Sequence, residues 1–243
     1  MYFKKLQTTE LMKTNKMRLL IGAAAVAALN WAACLQAQSA LPGSMPGQDY
    51  TLAANNKVYL SFDMGTAFQQ DINLYDSIGD NEKVTFDTGA RLDCELGFNI
   101  TPNWAVELET GLIDNQVKNS AILGTDFMNV DLMEIPIMAN VIYTRPLGRN
   151  FSVYLGGGLG GAFSQYYTDL GGETQSDTTF AFQGLAGLKY TFAGRWDLGV
   201  TYKFLGTTKH DVGPGIDSMG NPTEYKSDGT ITHSVLLALT CRF

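Results

Sequence analysis

From residue 57 to the C-terminus, apolar and polar residues alternate with period two through eight segments, the mark of strands whose two faces meet different surroundings. "KVYLSFDMGTAF" sets Val58, Leu60, Phe62 and Met64 against Lys57, Tyr59, Ser61, Asp63 and Gly65. "KVTFDTGARLDCELGFNI" and "WAVELETGLI" keep the parity, with Leu92, Cys94, Leu96, Val106 and Leu108 against Arg91, Asp93, Glu95, Glu107 and Glu109. "LMEIPIMANVIYT", "FSVYLGGGLGGAFSQYY", "TTFAFQGLAGLKYTF" and "WDLGVTYKF" repeat it. The last segment, "ITHSVLLALTCRF", runs to the final residue, with Val235, Leu237, Leu239, Cys241 and Phe243 against Thr232, Ser234, Ala238, Thr240 and Arg242. Each segment is about ten residues, the length that crosses a bilayer when tilted.

The connections sort into two kinds. Residues 101–103, 145–150 and 193–195 are tight turns, whereas 69–83, 114–129, 168–177 and 206–229 are long and polar. Short and long alternate strictly, so one end of the structure is trimmed and the other elaborated. The pattern predicts an all-β fold, an eight-stranded antiparallel up-and-down transmembrane β-barrel.

Periodicity alone fits an apolar exterior in lipid and also an apolar interior in a secreted lipocalin-like barrel. Three features favour lipid. Aromatics gather at strand ends on the apolar face: Phe98, Trp104, Tyr143, Phe151, Phe192, Trp196 and Phe243 near the short turns, and Phe62, Phe163, Phe180 and Phe204 near the long loops, as two membrane interfaces would select. Gly156, Gly158 and Gly160 stand in a row on the polar face and suit a cramped lumen. A terminal strand that pairs with the first removes the sheet edges that hydrocarbon cannot satisfy.

These alternating segments, the Glu134-Ile135-Pro136 step inside a strand and the terminal aromatic resemble the eight-stranded outer membrane protein β-barrel family of the OmpA/OmpX type, over about residues 57–243. The resemblance implies a bacterial outer membrane location and contact with outer-membrane lipid and lipopolysaccharide. It also implies that the barrel-assembly machinery reads a C-terminal strand ending in Phe243. No appended peptidoglycan-binding domain is expected, since the chain ends with the barrel.

Residues 1–37 read as a cleaved signal peptide: Lys4, Lys5, Lys13, Lys16 and Arg18 precede an apolar run from Leu19 to Leu29 and a stretch of small residues. Residues 38–56 form a periplasmic N-terminal arm, and 57–243 the barrel domain. A rival reading of Trp31-Ala32-Ala33-Cys34 makes Cys34 a lipidation site. The chain carries 17 basic and 24 acidic residues, a net charge of -7, and losing the basic leader makes it more acidic still. That balance excludes nucleic acid as a partner. Cys94 and Cys241 fall on strands separated by another strand, too far apart to bridge.

Assigned to the lumen, the polar face carries a charge network of Lys57, Asp63, Asp87, Arg91, Asp93, Glu95, Glu107, Glu109, Glu134, Lys189, Asp197, Lys203 and Arg242. Buried charges need partners. Asp197 opens the seventh strand and Arg242 ends the eighth, so antiparallel pairing makes them neighbours. The first reading of the network is a plug that fills and stiffens the barrel, and the second a narrow ion or proton path. An enzyme at the rim is the alternative, and it finds little support: His233 and Ser234 are consecutive in a strand and point to opposite faces, leaving His210-Asp211. Asp71, Asp76, Asp80 and Glu82 crowd one loop without a recognised cation-binding spacing. No catalytic residue, metal or cofactor is assigned. The reading is a structural, adhesive or surface-interaction protein, not a large-solute pore, with an extracellular ligand meeting the long loops.

Overall fold

The structure, a computed structural model, describes residues 57–75, 81–119, 131–167, 175–216 and 222–243. Twelve strands occur in it: β1 (Val58–Gln69), β2 (Ile72–Tyr75), β3 (Asn81–Phe86), β4 (Gly89–Asn99), β5 (Trp104–Asn119), β6 (Asp131–Pro146), β7 (Phe151–Tyr167), β8 (Gln175–Phe192), β9 (Trp196–Thr207), β10 (His210–Ile216), β11 (Pro222–Ser227) and β12 (Ile231–Arg242). Eight of them, β1, β4, β5, β6, β7, β8, β9 and β12, pair antiparallel in a closed ring.

The ring closes where the sequence requires it. β12 pairs with β1 from Tyr59↔Arg242 to Gln69↔Thr232 and with β9 on its other side. The Phe243 amide donates to the Val58 carbonyl at 2.8 Å. A strand at the chain terminus is therefore held by ladders on both flanks rather than fraying. β1 lies between β4 and β12 and separates Cys94 from Cys241: Phe62 faces Cys94 and Leu60 faces Cys241.

Two expectations need correction. β5, β6, β7 and β8 are 16 to 18 residues long, not about ten. At roughly 3.3 Å per residue they overshoot a hydrocarbon core of about 30 Å. The connections 69–83 and 206–229, read as loops, contain β2, the start of β3, β10 and β11. These form a second sheet at the long-loop end, in the order β10-β11-β2-β3, with β3 joined to β5. Four to seven residues each, broken by Gly, Pro and Asn, are too short to show a period. The pairing of β11 with β2 sets Lys226 opposite Tyr75 and Ser227 opposite Leu74, far apart in sequence, which no local pattern announces.

This extension has its own small core of Ile72, Leu74, Val84 and Val117, with Phe86 against it. It is tied down by polar contacts as well. The Tyr75 hydroxyl donates to Asp228, holding that carboxylate below its usual range and the phenol above its own. Lys209 Nζ reaches Asp228 at 3.5 Å and lies 6.0 Å over the Tyr75 ring.

Outward positions in the barrel are the apolar ones. Leu108, Ile137, Leu155, Leu159 and Leu237 are each between 58% and 62% exposed, while Asp63, Arg91, Asp93 and Glu109 are at most 3% exposed. A continuous apolar belt of this kind would be untenable in water, so the secreted barrel with an apolar interior is overturned. Aromatic pairs mark the belt's short-turn edge, Trp104 with Tyr143 and Phe151 with Tyr190, each with ring centroids 4.9 Å apart. At the other edge stand Phe163, Phe180, Phe182 and Phe204. Phe62 falls mid-strand, and on β1 it is Phe68 that sits near the long-loop end.

The glycine row of β7 lines the lumen as expected. A methyl group at Gly158 would overlap Asn140 Oδ1 and the Ala139 carbonyl, and one at Gly160 would strike the Ile137 carbonyl, which is backbone and cannot step aside. Gly161 points outward, and a methyl group there would meet only the Thr179 carbonyl, at an ordinary contact distance of 3.5 Å. Gly160→Ala should lower the stability of the refolded barrel by about 1–3 kcal/mol, read as an earlier urea-unfolding midpoint in micelles, while Gly161→Ala should leave the midpoint in place.

Candidate functional site in the barrel lumen

Inward-facing residues from six strands meet in one buried ionic cluster. β4 supplies Arg91, Asp93 and Glu95, β5 Glu109, β1 Asp63, β6 Asn140, β8 Gln183 and β9 Lys203. Arg91 Nε donates to Asp93 Oδ2 at 2.8 Å, and its Nη2 to Glu109 Oε1 at 2.9 Å. Lys203 Nζ lies 2.6 Å from Glu95, 2.8 Å from Asp93, 3.3 Å from Glu109 and 3.6 Å from Asp63. Asn140 Nδ2 and Gln183 Nε2 both donate to Glu109 Oε2, at 2.8 and 2.7 Å, and Gln183 Nε2 also to Asn140 Oδ1 at 2.8 Å. β7 adds no side chain here; its glycines leave the room that Asn140 occupies.

The chemistry of the centre follows from this packing. Asp93, Glu95 and Glu109 each bring an oxygen within 4.8 Å of the others, a donor set fit for a cation, and the Lys203 ammonium fills it. Lys203 acts as a covalently tethered cation at the barrel axis. On the long-loop side, two to four residues further along the strands, lies an apolar layer of Ala67, Ile113, Met138, Ala162, Ala181 and Leu205, all fully shielded. Beyond it Glu134 accepts from Thr230 at 2.8 Å and from Ser164 at 3.4 Å.

On the short-turn side the lumen widens. Tyr59 donates to Glu107 at 2.6 Å, Tyr154 and Thr201 hydroxyls lie 2.5 Å apart, and Arg242 Nη2 donates to Asp197 at 3.1 Å with Thr191 as the second donor at 2.6 Å. Lys189 lies over the Tyr154 ring, 5.6 Å from its centroid. Lys57 sits exposed at the mouth.

The thirteen charged residues assigned to the lumen therefore divide. Asp63, Arg91, Asp93, Glu95, Glu109 and Lys203 form one connected cluster; Glu107, Lys189, Asp197 and Arg242 lie beneath it; Glu134 lies above. Asp87 is not in the lumen. The chain breaks between β3 and β4, and Asp87, with a side chain 52% exposed, pairs with Lys118 at 3.4 Å. An unbroken strand from Lys83 would have kept it inward. The phase seen in the sequence placed Tyr59, Tyr154, Asn140 and Gln183 on the inner face but said nothing of their partners. Met138, Ile142, Leu185, Leu205 and Leu236 are also inward, an apolar share of the lumen that the polar-face reading missed.

His233 faces outward between Tyr202 and Phe204. Its Nδ1 lies 2.7 Å from the Tyr202 hydroxyl and its Nε2 2.9 Å from Gln70. Ser234 faces the lumen and is fully buried, so the two cannot act on one substrate. Asp71 pairs with Lys83 at 2.8 Å. Cys34, Asp76 and Asp80, and the side chains of Glu82, His210 and Asp211, lie outside the described residues.

A family model described as "Outer membrane protein beta-barrel domain" matches residues 21–243. No curated protein matches the chain. Among solved structures, the outer membrane protein OprG from Pseudomonas aeruginosa shares the fold with a TM-score of 0.57 at 15% identity, covering 77% of this chain and 97% of its own. The outer membrane protein AlkL, solved in lipid bilayers, gives 0.52 at 17% identity, covering 84% and 97%.

Breaking the central cluster should be costly, because one partner's removal strands buried charge. Lys203→Met should destabilise the barrel by about 3–5 kcal/mol in urea unfolding. Adding Glu95→Gln should cost less than the sum of the two single changes, because the carboxylate made surplus by the first is neutralised by the second.

Proposed function

Because the chain belongs to the outer membrane protein β-barrel domain family, we propose that it is an outer membrane anchor whose lumen is sealed and whose long-loop end presents a structural or adhesive surface. The observation that carries this is the consecutive pair of buried layers across the lumen, the ionic cluster and the shielded apolar layer above it. A hydrated solute would have to strip its water and break the Lys203 contacts to pass, so the barrel is no large-solute pore. What the chain elaborates instead is the β10-β11-β2-β3 sheet beyond the belt, where an exposed surface can be read by another molecule.

On this reading residues 1–37 direct export and are removed, 38–56 form an arm on the periplasmic side, and 57–243 fold in the membrane with the short turns inward and the long connections outside. The aromatic-rimmed belt meets outer-membrane lipid and lipopolysaccharide, and the barrel-assembly machinery reads the strand ending in Phe243. Catalysis has less support: His233, the histidine whose side chain is described, is held among Tyr202, Phe204 and Gln70 with its neighbour Ser234 on the other face.

Proteoliposomes carrying the refolded protein test the seal. They should swell in arabinose no faster than empty liposomes, and swelling above that baseline would overturn the sealed anchor. The surface role is tested on cells by replacing residues 72–84 and 210–227 with short turns. Attachment to other cells or to immobilised matrix proteins should fall while membrane insertion, read by a boiling-dependent gel shift, is retained. Unchanged attachment would overturn it.

A further inference from the structure

Beneath the ionic cluster the lumen opens into a cavity of about 330 Å³ that reaches the short-turn end, with Lys57, Thr101 and Pro102 at its mouth. That volume lies at the lower end of the range for small-molecule sites. Its walls are of two kinds. One is apolar, built by Tyr59, Ala105, Ile142 and Leu185 with Tyr154 packed against them. The other is charged, with Lys189, Asp197 and Arg242 from β8, β9 and β12.

The charged wall is incompletely matched. Asp197 Oδ1 accepts from Arg242 and Thr191 while its Oδ2 is left without a partner, and Glu107, across the cavity on β5, accepts from the Tyr59 hydroxyl. Lys189 is matched by neither. Among the described residues no carboxylate lies within 4.0 Å of its ammonium, which rests over the face of Tyr154. Arg242 also keeps its Nε buried without an acceptor. Two cationic groups with unmet donors thus line a cavity that also carries an apolar surface of Tyr59, Ala105, Ile142 and Leu185. An anion entering there would supply what the protein leaves out, and enclosure would strengthen the attraction beyond its value in water.

We propose that this cavity binds a small organic anion, its carboxylate or phosphate held by Lys189 and the Arg242 Nε, its apolar body against Tyr59, Ile142, Leu185 and Tyr154. The site is independent of the surface role and needs no passage through the lumen, since Lys203 and its carboxylates form its floor.

The full-length barrel in micelles, with Ile and Leu methyl groups labelled for NMR, tests the site. Benzoate should shift the Ile142 and Leu185 methyl signals saturably; benzylamine, its charge-reversed analogue, should not, and inorganic phosphate should bind more weakly for want of an apolar body. Lys189→Met should weaken benzoate at least tenfold while the urea-unfolding midpoint stays or rises, because the variant loses an unpaired ammonium and no ion pair. Lys189→Arg should keep the binding. Absence of a saturable shift, benzylamine binding as tightly as benzoate, phosphate binding as tightly as benzoate, or unchanged affinity in Lys189→Met would each overturn the proposal. An earlier-unfolding Lys189→Met barrel that still binds benzoate would mark Lys189 as a structural group.

Discussion

Closure of the backbone ladder is the constraint on which everything else in this molecule depends. Hydrocarbon offers no partner to an amide or carbonyl, so a sheet can cross it only when no edge is left. The seam between β1 and β12 meets that demand with continuous register from Tyr59↔Arg242 to Gln69↔Thr232. It makes the first and last described strands immediate neighbours and places the terminal aromatic beside Val58. Pro136 marks the local exception. Its missing N–H coincides with a lapse in the β5–β6 ladder, between Thr110↔Ile137 and Ile113↔Glu134, while pairing on the β7 side continues through Ala162.

Closing eight strands has a second consequence. The enclosed space is narrow enough that inward side chains from opposite walls touch, so residues far apart in sequence become partners: Lys203 meets Asp93 across 110 positions and Glu95 across 108. Four carboxylates face two cations in the central cluster, and amides fill the gaps, Asn140 and Gln183 both turning their N–H groups to Glu109. Such a cluster is poor evidence for high stability, since burying its charges costs about as much as their attraction returns. Its clearer effect is on specificity, because each member is expensive to leave unmatched.

The two ends of the barrel then diverge. At the long-loop end the strands continue beyond the belt and recruit β2, β3, β10 and β11 into a sheet with its own small core. At the short-turn end they stop at the interface, and the lumen widens into a cavity with one apolar and one charged wall. The ionic cluster and the apolar layer lie between these two regions.

Much of this was legible in the residues themselves. Period-two alternation needs no partner to be seen, and it identified which face of each barrel strand turns to lipid, which residues turn inward, and where the short turns fall. It also made neighbours of Asp197 and Arg242, because a hairpin and a closing seam are set by strand order alone. What the alternation could not carry was anything dependent on the third dimension or on short segments. Strand breaks reset the phase, which is why Asp87 belongs outside. Strands of four to seven residues have no period to detect, which hid the extension. Inward apolar residues such as Met138 and Leu205 look like errors in an alternating pattern until the layer they build together is seen. Sequence by itself determined the architecture and the orientation of its faces, since both follow from one-dimensional periodicity and the solvent each face demands. Tertiary structure alone decided which charges meet, which remain unmatched and where space is left, since these depend on distances across a closed lumen that no sequence separation encodes.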